Sequence, residues 1–169
     1  MATTPHTTLI DSDGFLLHAE DETAMRAEMT HYEQPQAACI EALKIVQRRH
    51  GWVPDEAIGA IARVLGIAPA SVESVATFYS LIFRQPVGRH IVLVCDSSAC
   101  FLSGFDELKQ ALVNQLGIDY GQTTEDDRFT LLPVCCLGAC DGAPALMIDN
   151  DTYGPVTADD LPALLESYS

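Results

Sequence analysis

Four of the six cysteines fall into two close pairs, Cys95-x4-Cys100 and Cys136-x3-Cys140. Thiolates that arrive in pairs, two for each iron, are what a 2Fe–2S cluster requires. Ser97, Ser98 and Ala99 in the first loop, and Gly138 and Ala139 in the second, are small. Small residues let backbone N–H groups approach cluster sulfurs, and such hydrogen bonds help to set a potential. Other chemistries compete for the same residues. Structural zinc also takes four cysteines, in pairs that enclose two to four residues, so spacings of four and three sit at the long end of its range. A dithiol oxidoreductase would show Cys-x-x-Cys at a strand-to-helix junction, which this sequence lacks. Buried structural thiols are the remaining reading. Cys135-x4-Cys140 offers a second way to pair the later cysteines. Adjacent residues on a strand face opposite sides, so one of Cys135 and Cys136 should face the cluster, and spacing leaves open which. Cys39 lies on an apolar helical stripe and reads as core.

Other residue types contribute less. No Gly-x-Gly-x-x-Gly or phosphate-cradling loop occurs, so hydride or nucleotide chemistry is expected on a partner chain. His6, His18, His31, His50 and His90 are scattered and read as surface or helix-end residues. His90 beside the first predicted strand is the one placed near the cysteine loops, and a Rieske-type role would need paired histidines. Trp52 and Phe78-Tyr79 are either core of a small bundle or anchors for a partner. Glu125, Asp126 and Asp127 read as a solvated loop.

The elements that must position these residues change character along the chain. Residues 1–18 show no sustained periodicity and read as a mobile lead-in. Glu20 to Tyr32 begins with three acids, as suits the positive end of a helix dipole. Pro35 opens an amphipathic helix over Gln36–Arg49 with Cys39, Leu43 and Val46 on one stripe, stopped by Gly51. A third helix follows Pro54 to Leu65, and a fourth runs from Pro69 to Tyr79. Short helices with tight connections predict a small bundle. Beyond Gly88 the period shortens. Arg89–Cys95 carries the continuous apolar run of a buried strand. Ser103 can cap a helix that carries Phe105, Leu108, Leu112 and Leu116. Arg128–Val134 is a second strand, Ala145–Asp149 and Thr152–Gly154 form a hairpin, and Thr157 with Asp160 starts a last helix. The order β-α-β-β-β-α matches a small thioredoxin-like layer. The predicted class is α+β: a lead-in over 1–18, a helical bundle over 19–87 and a thioredoxin-like α/β ferredoxin domain over 88–169.

Composition narrows the partners. The 169 residues carry a formal charge of −15, with 48% hydrophobic residues. The apolar fraction is too high for an acidic disordered tail. The acidity disfavours nucleic acid and anionic membrane surfaces, which both want clustered Lys and Arg. Residues 1–89 hold 11 acids and 7 bases, whereas 90–169 hold 13 acids and 2 bases. The predicted cluster therefore sits in the more acidic half, and that charge should lower its potential. No apolar run approaches the length of a bilayer span. The N-terminal region lacks the pattern of a secretory or transit segment, so a cytoplasmic location without direct membrane insertion is expected. Reducing conditions there favour metal binding over disulfides.

Taken together, Tyr32-Glu-Gln-Pro-Gln-Ala-Ala-Cys-Ile-Glu-Ala-Leu-Lys-Ile-Val-Gln47, Gly51-Trp-Val-Pro54, Val75-Ala-Thr-Phe-Tyr-Ser80, Cys95-x4-Cys100 and Cys136-Leu-Gly-Ala-Cys140 carry a resemblance. The chain resembles the NuoE family, the thioredoxin-like ferredoxin subunit in the NADH-dehydrogenase module of bacterial complex I, over roughly residues 20–169. The resemblance implies one 2Fe–2S cluster on Cys95, Cys100, Cys136 and Cys140, selecting Cys136 over Cys135. It also implies FMN and NADH on a partner subunit, a helical bundle that packs on that subunit, and a large iron–sulfur subunit in the same module. The chain would then lie on the cytoplasmic side of the bacterial inner membrane, held there by its complex. The equivalent subunit of an NAD-dependent hydrogenase or formate dehydrogenase, or a zinc-stabilised interaction module, would be the alternatives.

Overall fold

The computed structural model describes residues 9–10 and 15–168. The chain divides between Pro86 and Val87 into two compact units.

The first unit is helical. A two-residue ribbon, β1 (Leu9–Ile10) and β2 (Leu16–Leu17), pairs antiparallel with Leu9 opposite Leu17. Four helices follow: α1 (Ala19–Met29), α2 (Cys39–His50), α3 (Asp55–Leu65) and α4 (Pro69–Phe78). Glu20, Asp21 and Glu22 occupy the first turn of α1. The helix expected from Gln36 begins as α-helix at Cys39, because Pro35–Ala38 form a tighter 3-10 turn. Gly51 ends α2 with φ +82 and donates its N–H to the Gln47 carbonyl at 2.7 Å, a left-handed closure that glycine adopts without a Cβ clash. Met25, Leu43, Val46, Ile61, Leu65 and Val72 are fully buried and form the centre of one core, with Cys39 among them. Burial without a charged partner pushes the Cys39 thiol up to about 11. Within the stretch expected as a lead-in, Phe15 and Leu17 are buried in this same core, and Phe15 stacks 5.2 Å from His50. Residues 1–8 and 11–14 of that stretch lie outside the described residues.

Polar ties close the helical unit. The Arg49 guanidinium at the end of α2 grips the buried Asp21 of α1 in a two-point bond, Nε to Oδ2 at 2.5 Å and Nη2 to Oδ1 at 2.8 Å. The chain after α4 is pinned twice. Gln47 donates to the Leu81 carbonyl at 2.9 Å and accepts from the Phe83 N–H at 2.7 Å. Arg84 reaches the Val53 carbonyl, Asp55 and Glu73.

The second unit is a sheet with helices. Its elements are β3 (His90–Cys95), α5 (Ser98–Leu102), α6 (Phe105–Leu116), β4 (Phe129–Val134), β5 (Leu146–Ile148), β6 (Asp151–Tyr153) and α7 (Leu161–Glu166). The strand order is β4-β3-β5-β6, with β3 parallel to β4 and antiparallel to β5. As a central strand β3 buries Val92, Leu93, Val94 and Cys95 in succession, which explains its unbroken apolar run. Phe105, Leu108 and Leu112 give α6 one buried stripe, which packs in one cluster with Leu131, Leu146 and Leu161. Ser103 does not cap α6. Gly104 occupies that position with φ +107, and its carbonyl accepts the Leu108 N–H at 3.1 Å. The short α5 before it has no counterpart in the sequence pattern, since five residues are too few to display a helical period. Before α7, the Asp160 carboxylate accepts both the Thr157 N–H and its hydroxyl, at 2.8 and 2.6 Å. Arg128 caps the far end of the same helix by donating to the Leu165 and Tyr168 carbonyls.

Among the described residues no single helix is long and apolar enough to cross a membrane. Ile61 touches no polar tie and sits fully buried at the centre of the helical core. Ile61→Ala should therefore cost roughly 2–5 kcal/mol from the lost methylenes and the cavity left behind. Urea unfolding followed by circular dichroism measures it; a loss below about 0.5 kcal/mol would contradict this packing.

Candidate metal centre

The parallel pairing of β3 with β4 sets Cys95 opposite Val134, so both strands end at one edge of the sheet. The Asp96 N–H donates to the Val134 carbonyl at 3.1 Å and holds the two exits together. From β3 the chain turns into α5, which carries Cys100. From β4 it passes through Cys135 and Cys136 to a 3-10 turn over Cys140–Gly142, then enters β5. Because β3 lies between β4 and β5, this connection has to cross the end of β3, where Cys95 stands.

The crossing brings four thiols together. Ser97, Cys140 and Cys95 all act on the Cys136 thiol, and Cys95 and Cys140 act on Cys100. Cys140 in turn feels the charge of Cys136 and of Cys95. The Gly138 N–H donates to Cys136 Sγ at 3.3 Å, and that bond is the main reason the Cys136 thiol lies below its ordinary range. Cys140 is raised, chiefly by the negative charge of Cys136 beside it. Burial raises Cys100, while the Ala145 N–H pulls it back. Cys135 is exposed and is a partner of none of the four. It lies past the last residue of β4, in a loop where strand alternation no longer decides which way a side chain faces.

The donor chemistry suits a pair of irons. Among the described residues, no group of three or more His, Cys, Asp or Glu is disposed to hold one metal ion. A two-iron cluster would ask for two thiols per iron, and the two strand exits offer such pairs in Cys95 with Cys100 and Cys136 with Cys140. The first pair is buried and the second exposed, so the site opens to solvent on the side of the β4–β5 loop.

The remaining sequence candidates separate from the site. His90 begins β3 and so stands at the opposite end of the strand from Cys95, paired with Asp149 at 2.8 Å; proximity in sequence places it too near the loops. Phe78 and Tyr79 meet edge to face at 5.1 Å on the helical unit, with Phe78 79% exposed. Glu125, Asp126 and Asp127 are exposed. Two contributors carry no sequence signal for the part they play. Ala145 gives its N–H to Cys100 and accepts the Cys95 N–H at 3.1 Å through its carbonyl, and an alanine that works through its main chain shows no chemistry in its type. Ser97 reads in the sequence only as a small residue, whereas its hydroxyl also serves Cys136.

The family model described as thioredoxin-like 2Fe–2S ferredoxin matches residues 25–169. The chain belongs to that ferredoxin family. Among curated relatives, the E subunit of NADH-quinone oxidoreductase from Pseudomonas aeruginosa is 60% identical over 160 residues, covering 95% of this chain and 96% of the relative. Its namesake from Escherichia coli K12 is 57% identical over 157 residues, covering 93% and 95%. A solved NAD+-reducing NiFe hydrogenase shares the fold, with TM-score 0.63 and 24% identity over 79% of this chain and 22% of the hydrogenase chain.

As a ferredoxin with half of its thiols buried, the protein should label in two classes once metal is stripped under anaerobic conditions. Cys135, Cys136 and Cys140 should react quickly with a thiol reagent, while Cys39, Cys95 and Cys100 wait for denaturant. Peptide mass spectrometry assigns the classes; rapid native labelling of Cys95 or Cys100 would contradict the buried arrangement.

Proposed function

We propose that this chain is the electron-transfer subunit of an NADH:quinone oxidoreductase, holding one 2Fe–2S cluster on Cys95, Cys100, Cys136 and Cys140. The convergence of these four thiols at one edge of the sheet carries the reading, and kinship with the NADH-quinone oxidoreductase relatives along almost the whole of both chains supports it. When bound, such a cluster supplies one-electron transfer. FMN and NADH belong to a partner subunit, in keeping with the absence of a nucleotide-binding motif in the sequence. The large iron–sulfur subunit is the second partner in the same module. The chain lies on the cytoplasmic side of the inner membrane through that complex. Its division into a helical unit ahead of a thioredoxin-like unit follows the break after Pro86.

This chain's own residues hold, orient and tune. The Ser97 hydroxyl and the Gly138 and Ala145 N–H groups offer hydrogen bonds to thiolate sulfur, which favour the more negative state. Asp141 acts on Cys140 through its charge, and Asp96 follows Cys95 directly. Fixed negative charge makes the arrival of an electron harder and lowers a potential. Beside Cys100, Phe101 is 57% exposed and Leu102 84% exposed. Large apolar side chains left bare next to a redox site suit a surface covered by a partner.

Iron analysis and EPR of the reduced chain, purified anaerobically, test the reading. Two irons per chain and a 2Fe–2S signal are expected, and zinc without iron would overturn it. Cys136→Ser should lose or strongly alter the signal, whereas Cys135→Ser should keep it; the reverse pattern would reject this ligand set. Separately, Asp141→Asn and Asp96→Asn should each raise the midpoint potential, on the order of tens of millivolts, in a redox titration. Unmoved potentials in both would remove the acids from the tuning.

A further inference from the structure

The segment 142–145 joins the two cysteine pairs, and a second segment braces it from behind. Ala145 bonds to both members of the first pair, taking the Cys95 N–H on its carbonyl and giving its own N–H to Cys100. Gly142 closes the turn that begins at Cys140, with its N–H on the Ala139 carbonyl at 3.1 Å. Residues 154–156, which follow β6, run against this stretch, and the Val156 N–H donates to the Pro144 carbonyl at 3.0 Å. The two backbones touch at a pair of glycines. A Cβ on Gly154 would stand 2.1 Å from the Gly142 carbonyl oxygen, 3.1 Å from its carbon and 3.3 Å from the Ala145 Cβ. A Cβ on Gly142 would meet the Gly154 carbonyl carbon and oxygen at 3.1 Å. The obstructing atoms belong almost wholly to backbone, which cannot swing aside as a long side chain can. Gly154 does not adopt a left-handed φ, so the position calls for space and not for conformational freedom.

We propose that Gly154 and Gly142 are positioning residues for the metal centre. Their contact sets how closely the Cys140 turn and the Ala145 amide approach Cys95 and Cys100. The proposal rests on the two-iron reading above. A methyl group at Gly154 displaces 142–145 toward the thiols or away from its present seat, and either movement alters the Ala145 N–H bond to Cys100. A weaker N–H bond to thiolate sulfur gives a lower potential.

The test compares the full-length chain with Gly154→Ala, Gly142→Ala and Gly117→Ala, measuring iron per chain, EPR g-values, midpoint potential and thermal unfolding. Gly117 ends α6 with φ +70 and nothing within 4 Å of its added Cβ, so that variant reports backbone strain without displacement. Two irons in the unaltered chain secure the two-iron reading first; their absence would fail that reading and be seen before any variant is compared. Gly154→Ala should then shift both the g-values and the potential, with a smaller shift in Gly142→Ala. Gly117→Ala should lose stability and keep the parent spectrum and potential. Loss of iron from a Gly154→Ala chain that melts no earlier than Gly117→Ala also supports the proposal. Parent g-values and potential in both Gly154→Ala and Gly142→Ala, with only stability reduced, would overturn it. If Gly154→Ala fails to fold, the milder Gly142→Ala decides by the same criterion.

Discussion

A strand that lies between its two later neighbours forces the chain to cross its end. Here β3 is that strand, and the β4–β5 connection passes over the residue with which β3 terminates. With Cys95 at that terminus and Cys136 and Cys140 on the crossing segment, topology does most of the work of assembling these thiols. Parallel pairing of β3 with β4 fixes the exits of both strands at one edge, and α5 returns Cys100 to the same place. Hydrogen bonds at Asp96 and Ala145 then hold the loops to the strand they cross. Loops serve well as ligand carriers when a rigid scaffold fixes their ends.

The helical unit solves a different problem, that of closing short helices around a small core. Apolar stripes on α2 and α3 supply the burial, and charge-assisted bonds settle the ends. Arg49 anchors α1 through Asp21, and Arg84 gathers the start of α3 and the side of α4. Asp21 is buried to all but a few per cent, so its carboxylate depends on Arg49 for its charge to be tolerated there. Bare aromatic surface at Phe78 and Tyr79 remains after the core is full.

Elements with a strong period were legible in the sequence. The α2, α3 and α6 stripes, the apolar run of β3 and the β5–β6 hairpin stand close to where their patterns put them. Features without a period were not. Helix α5 is too short to show one, Gly104 displaces Ser103 at the cap of α6, and Phe15 and Leu17 join the core from a stretch with no pattern of its own. At the site, residue type and spacing pointed to the cysteines, while the choice between Cys135 and Cys136 came from the family resemblance, because both lie past the end of β4 where strand alternation says nothing. Main-chain contributions at Ala145, and the contact between Gly142 and Gly154, depend on segments distant in sequence. Nothing in the local pattern of an alanine or a glycine announces them.

The unequal exposure of the thiols gives the centre a front and a back. Cys95 and Cys100 are part of the folded interior, so their spacing is fixed by the packing of β3 and α5. Cys136 and Cys140 sit on the outer loop, where solvent reaches them. Whatever comes from solution therefore meets the site on one face, with the sheet standing behind the other.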